Sequence, residues 1–305
     1  MENTLKPYSE VKKRRVIKSG LYIVVLCAVI LTASCANGPR YYIALGDSVS
    51  TGYGLAAHEY RHSTLFFNLL KNEGYVDYYI NMAVDGSTTT TLLEFLNSVD
   101  NDGLRIFRNA RVITLNIGGN NILGAFVNYL STLRIAPGAE IPRAGAGAED
   151  IVLWAWGIVS DTLNIFSTFA GSFSPELRSR LNEAVQTFTD EFSEIISWLE
   201  RNAPGAIIIV NTIYNPIPQE VLGASLEFSR AANLSIESMN EIIVKESASR
   251  TYLVTDIHSH LSNQLNLFKF NLNPFAGDLS LDIIHPNAEG HYLIARLNFA
   301  TFTQR

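Results

Sequence analysis

Residues 41–54 read YYIALGDSVSTGYG, an apolar, β-forming run that stops at Gly46-Asp47-Ser48 and is followed by Gly52 and Gly54. The run is almost continuously apolar rather than alternating, the pattern of a strand buried on both faces of a parallel sheet. Four more runs share that character: VDYYIN at 76–81, VITLNI at 112–117, AIIIVNTI at 206–213 and TYLVTDI at 251–257. Helical patterns lie between them. In residues 174–205, Leu177, Leu181, Val185, Phe188, Phe192, Ile195 and Leu199 recur at helical spacing, with Ser174 placed to cap, Pro175 suited to the first turn and Pro204-Gly205 as the stop. Strands alternating with helices predict a doubly wound α/β sheet in a single domain.

The N-terminus has a different character. KKRRVIKSG carries a cluster of positive charge, LYIVVLCAVIL (Leu21–Leu31) a short apolar core, and TASC places small residues before Cys35. This is the three-part pattern of a secretory signal peptide, and the apolar core is short for a bilayer-spanning helix. The small residues before the cysteine resemble a bacterial lipobox, which implies cleavage ahead of Cys35 and lipid attachment there. Cys27 does not qualify, because the preceding Leu26 is too large for the cleavage position. An uncleaved anchor or an ordinary signal peptide would still export the rest of the chain.

Residues 1–35 hold six of the 23 Lys and Arg and two of the 29 Asp and Glu, so the mature chain carries a net charge of −10. Nucleic-acid binding relies on clustered basic residues, and an acidic body argues against it. Broad electrostatic adhesion to anionic lipid is disfavoured too, so membrane attachment would rest on acyl chains at Cys35. Cys35 is the sole mature cysteine, which excludes an internal disulfide and leaves the fold to its core.

One segment does not fit a minimal sandwich. Residues 122–172 read as a helical insertion or lid, comprising an Ala/Gly/Pro-rich loop and then IVLWAWGIVSDTLNIFSTFAG. Asp161 and Asn164 are the strongly polar interruptions of that apolar run, and Asp161 argues against an isolated spanning helix. A buried helix, a wall for acyl chains and a membrane-dipping helix remain as readings.

Ligands of a doubly wound sheet gather beyond the carboxyl ends of its strands, so the polar residues there are the informative ones. They are Gly46-Asp47-Ser48 after the first run, NMAVDGSTTT with Gly86 after the second, GGNN at 118–121 after the third, and LDIIHPNAEGH near the C-terminus. A serine hydroxyl needs a base to take its proton, and imidazole serves near neutral pH. The imidazole in turn needs a carboxylate on its other nitrogen, and Asp282 lies three residues before His285. A tetrahedral intermediate requires hydrogen-bond donors: the Ser48 N–H, a loop N–H such as that of Gly86, and the Asn120 amide are of the right kind.

These four blocks, in this order, resemble those of the SGNH/GDSL hydrolase family. GDS with TGYG matches the first block, NMAVDGSTT the second, GGNN the third and DIIHPNAEGH the last, spanning roughly Tyr41 to Arg296. The resemblance implies a flavodoxin-like, three-layer α/β/α sandwich with about five parallel strands, over residues 36–305. It implies Ser48 as nucleophile, His285 as base and Asp282 as the acid that orients it, with Ser48, Gly86 and Asn120 as the oxyanion hole and no metal or organic cofactor. Two positions depart from the pattern: Val49 replaces a usual Leu, and Asn121 stands where the third block usually has Asp, which puts the support of that loop in question.

Other residues compete. His258 and His260 are two histidines at i, i+2 without a matched carboxylate pattern, a weak basis for a metal. Asp256, at a strand end, rivals Asp282 as the orienting acid; His291 is expected to pack on the last helix, and Asp47 to make structural bonds under the nucleophile turn. Together these readings predict an exported, lipid-anchored serine esterase or lipase, facing the periplasm or cell exterior and acting on lipid or short acyl esters. A carbohydrate O-acetyl esterase and a non-catalytic surface-binding lipoprotein are the alternatives. A cofactor-binding flavodoxin-like module would need a Gly-rich phosphate loop after the first strand, which is missing.

Overall fold

Tyr41–Gly46 forms β1, and its five residues after Tyr41 are all buried. The other parallel strands are β2 (Tyr78–Asn81), β3 (Ala110–Asn116), β4 (Ile207–Asn211) and β5 (Leu253–Thr255). The computed structural model describes residues 38–132, 175–215, 226–262, 264–271 and 280–305. Among them the five strands make one parallel sheet in the order β2-β1-β3-β4-β5. The expected signal segment 1–35 with Cys35, and the apolar stretch that dominates the expected insertion, lie outside the described residues. The start of that insertion is helical, because the helix after β3 runs on through Thr132.

Side chains of successive strand residues point to opposite faces, so each run supplies two cores. Ile43, Leu45, Ile113, Leu115, Ile208 and Val210 face one side. There they meet α3 (Thr89–Asn97), α4 (Asn101–Arg108), α5 (Gly119–Thr132), α6 (Pro175–Asn202) and α7 (Leu226–Ser247). Tyr42, Ala44, Val112 and Ile209 face the other side, against Phe66 and Leu70 of α2 (His62–Asn72) and Ala295 and Phe302 of α9 (Ala288–Thr303). The result is a three-layer α/β/α sandwich. In α6 the residues at helical spacing, Leu177, Leu181, Phe188, Phe192, Ile195 and Leu199, are buried, and Val185 is partly so. Burying such a side chain contributes about 1.5–3 kcal/mol.

Two short helices follow strands: α1 (Ser48–Thr51), which begins with Ser48, comes directly after β1, and α8 (His258–Leu261), which holds His258 and His260, comes after β5. A second sheet, not evident in the sequence, pairs β6 (Phe268–Asn271) antiparallel with β7 (Ser280–Pro286). Among the described residues, no helix is long and apolar enough to cross a membrane.

Candidate active site

The chain turns from β1 into α1 at Gly46, whose φ of +133° is open to glycine. A Cβ there would stand 2.1 Å from the Asn116 carbonyl oxygen, so strands β1 and β3 could not approach as they do. Asp47 caps α1: its Oδ1 accepts from the Val49 N–H, and its carbonyl accepts from the N–H groups of Ser50 and Thr51. Asn116 donates to the same carboxylate at 3.2 Å. Burial pushes the Asp47 carboxyl up to about 6, against these bonds and the nearby His285. Ser48 is thereby held at the first position of α1, beyond the carboxyl end of β1.

Asp282 and His285 reach Ser48 from β7 through an irregularity in the second sheet. Lys269 pairs with Asp282 and its neighbour Phe268 with Pro286, so residues 283–285 bulge out of the ladder. In a regular strand, residues three apart stand about 10 Å from each other and on opposite faces. The bulge folds His285 back: Asp282 Oδ1 accepts from the N–H groups of Ile284 and His285, and both carboxylate oxygens lie within 3.0 Å of His285 Nδ1. The buried Tyr214 hydroxyl donates to the Ile284 carbonyl at 2.8 Å and fixes the bulge from below. His285 Nε2 is then 2.9 Å from Ser48 Oγ.

The direction of these bonds follows from the carboxylate. Burial tends to raise the Asp282 carboxyl, but the hydrogen bond and charge of His285 and the two backbone N–H groups overcome it and hold it below the usual range. An ionised Asp282 only accepts, so Nδ1 carries the proton and Nε2 accepts from the Ser48 hydroxyl. Tyr53 covers the imidazole, with ring centroids 4.8 Å apart.

Gly86 comes from the loop after β2, and Asn120 from the first turn of α5, which follows β3. Val84 to Ser87 form a tight turn in which the Ser87 N–H donates to the Val84 carbonyl, and Gly86 has the φ of +76° that its third position can demand. The Val84 N–H is tied to the Gly46 carbonyl, and Asn120 Nδ2 donates to the Ser87 carbonyl at 3.0 Å. Thr88 caps α3 in a reciprocal box with Thr91. Asn121 bonds Thr89 twice, accepting from its N–H and donating to its hydroxyl, so the loop support that this departure brought into question is present.

The competing residues are engaged elsewhere. Asp256 accepts from Ser259 and Thr212 at the start of α8 and makes no bond to His285. His258 Nδ1 faces the Ile213 carbonyl and His260 Nδ1 the Asp256 carbonyl. His291 is fully buried in α9, stacked on His62 with centroids 5.7 Å apart. Sequence reasoning missed Tyr53, Asn116 and Tyr214. Tyr53 lies inside the first motif and was within reach, whereas the other two show their role only through contacts across the fold.

The family model for the GDSL-like lipase/acylhydrolase family matches residues 44–293. The chain belongs to this family. It is therefore a serine-type carboxylic ester hydrolase in class. Its fold is similar to that of a lipase from a goat-rumen metagenome (TM-score 0.59, 16% identity, covering 86% of this chain and 97% of that one). It is also similar to an extracellular lipase from Streptomyces rimosus (0.51, 16%, 86% and 99%) and to a phospholipase A1 from Streptomyces albidoflavus NA297 (0.50, 18%, 87% and 100%). No curated protein matches the chain.

Proposed function

We propose that this GDSL hydrolase cleaves esters through Ser48, His285 and Asp282, acting on substrates that carry an acyl chain. The observation that carries the reading is the continuous bond path from Ser48 Oγ through both imidazole nitrogens to Asp282. Ser48 Oγ attacks the ester carbonyl carbon while its proton passes to His285 Nε2. Asp282 keeps the proton on Nδ1 and stabilises the imidazolium that forms. The oxyanion takes hydrogen bonds from the N–H groups of Ser48 and Gly86 and from the Asn120 amide hydrogen that Ser87 does not use. The alkoxide leaves with the proton from Nε2. Water then attacks the acyl-enzyme, gives its proton to Nε2, and the acid departs as Ser48 is reprotonated.

Acyl esters are favoured by the apolar side chains exposed around these residues. Tyr53 lies on His285, Ile284 precedes His285, Val84 opens the Gly86 turn and Leu123 follows Asn120 by one helical turn, and all four are substantially solvent-exposed. Exposed apolar groups clustered beside a reactive centre favour an apolar ligand. Turnover of p-nitrophenyl acetate, butyrate and decanoate tests this: kcat/KM should rise from acetate to the longer chains, whereas a preference for acetate would point to a deacetylase.

We also propose that Cys35 is lipidated and holds the enzyme at a membrane facing the periplasm or cell exterior. The support is the sequence pattern of residues 11–35. Metabolic labelling with a palmitate analogue in a bacterial host should tag the protein, and Cys35→Ser should abolish the label; equal labelling of the variant would refute the assignment.

A further inference from the structure

Asn121 occupies the position where the family's third block usually has Asp, and the side chains around it form a chain of fixed polarity. The Thr89 N–H can only donate, so the Asn121 atom 3.2 Å from it is Oδ1. The atom 2.8 Å from Thr89 Oγ1 is therefore Nδ2, a donor, and the Thr89 hydroxyl acts there as acceptor. Its own hydrogen must go elsewhere. It points to Glu191 Oε2, 2.5 Å away on α6, which also accepts from the Thr90 hydroxyl at 2.9 Å. Thr89 is wholly buried and Asn121 nearly so, which makes an unmet donor or acceptor there costly.

We propose that Asn121, Thr89 and Glu191 form a directional hydrogen-bond relay that positions the Gly86 turn, with Glu191 the acceptor that makes Asn121 workable. The relay joins the start of α5, the start of α3 and the middle of α6. Asn120, one residue before the relay, holds the Ser87 carbonyl, and Thr89 begins the helix that follows the turn. The inference rests on the reading of Gly86 and Asn120 as oxyanion donors. An Asp at 121 would accept from both the N–H and the hydroxyl of Thr89. That would turn the hydroxyl away from Glu191 and leave two carboxylates sharing one threonine. Replacing Glu191 by Gln then restores a complete chain with its polarity reversed, because the Gln amide can donate to Thr89 Oγ1.

The test is a kinetic and thermal cycle on the full chain with Asn121→Asp, Glu191→Gln and the double variant. Asn121→Asp should lower kcat about tenfold with KM changed by less than about twofold, a fraction of the loss for a deleted oxyanion donor. Glu191→Gln alone still accepts from both hydroxyls and should stay within about threefold of the parent, and the double variant should return to that level. Losses that multiply in the double variant, or an Asn121→Asp protein as active as the parent, would overturn the relay. Should Asn121→Asp fail to fold, Thr89→Val must lose kcat where Thr89→Ser keeps it; equal activity of the two would count against the proposal. If the parent shows no Ser48-dependent turnover, it is the reading of function that fails. The relay is then read from melting temperatures: a drop in Asn121→Asp that Glu191→Gln reverses supports it, and additive drops overturn it.

Discussion

In the proposed mechanism the Ser48 hydroxyl becomes a nucleophile because each neighbour constrains the next. Asp282 fixes the imidazole tautomer, and the imidazole accepts from Ser48. Asp282→Asn should lower kcat by about 10³–10⁴ with little change in KM, since the amide would favour the wrong tautomer. Asn120→Ala removes a proposed oxyanion donor and should lower kcat by about 10²–10³ in steady-state assays. Asp47 gives a stability prediction. Its carboxyl is raised to about 6 by burial, so the folded state binds the proton more tightly than the unfolded chain. Stability from this group is complete below about pH 4 and is lost as pH rises through 6, by about 3 kcal/mol. Asp47→Asn cannot titrate, so its stability relative to the parent should improve by that order between pH 4 and 7 in urea titrations. A constant difference across that range would refute the assignment.

The strands and long helices were legible because one physical cause dominates each. β1, β3 and β4 are buried on both faces, which writes an uninterrupted apolar run, and α6 writes its buried stripe at helical spacing. The β6–β7 hairpin was not legible: β6 is four residues long, and its register with β7 is set by the bulge rather than by alternation. The spacing of Asp282 and His285 showed that the two could meet, but not that a bulge inside a strand brings them together. Glu191 gave no local signal, since its partners lie about a hundred residues away. Tyr214 offers a test of the bulge. Tyr214→Phe removes the hydroxyl bond to the Ile284 carbonyl and should cost about 1 kcal/mol of stability. It should also reduce kcat several-fold, and an unaltered kcat would show that the bulge holds His285 without it.

Across the whole molecule, the two helical layers have different characters. The layer of α3 to α7 is a large apolar core that includes the stacked pair Phe188 and Phe192. The opposite layer, α2 and α9, encloses polar rings: His62 and His291 are fully buried, and the His62 N–H donates to His291 Nδ1. Burial lowers His62 to about 3 and holds His291 well below its ordinary value. A base depressed in the folded state stabilises it above the unfolded pKa, and this stability is lost as pH falls from about 6.5 toward 3. Unfolding free energy should therefore drop more steeply between pH 6.5 and 4 in the parent than in His62→Phe. Identical slopes would mean that the pair does not govern acid sensitivity.

If Ser48 is the nucleophile of an esterase, it can be trapped covalently. The full chain mixed with a fluorophosphonate ester should gain one adduct, located on Ser48 by peptide mass spectrometry, with p-nitrophenyl butyrate turnover lost in proportion. Ser48→Ala should show neither adduct nor turnover. An adduct on another residue, or turnover that persists in a folded Ser48→Ala protein, would show that Ser48 is not the nucleophile.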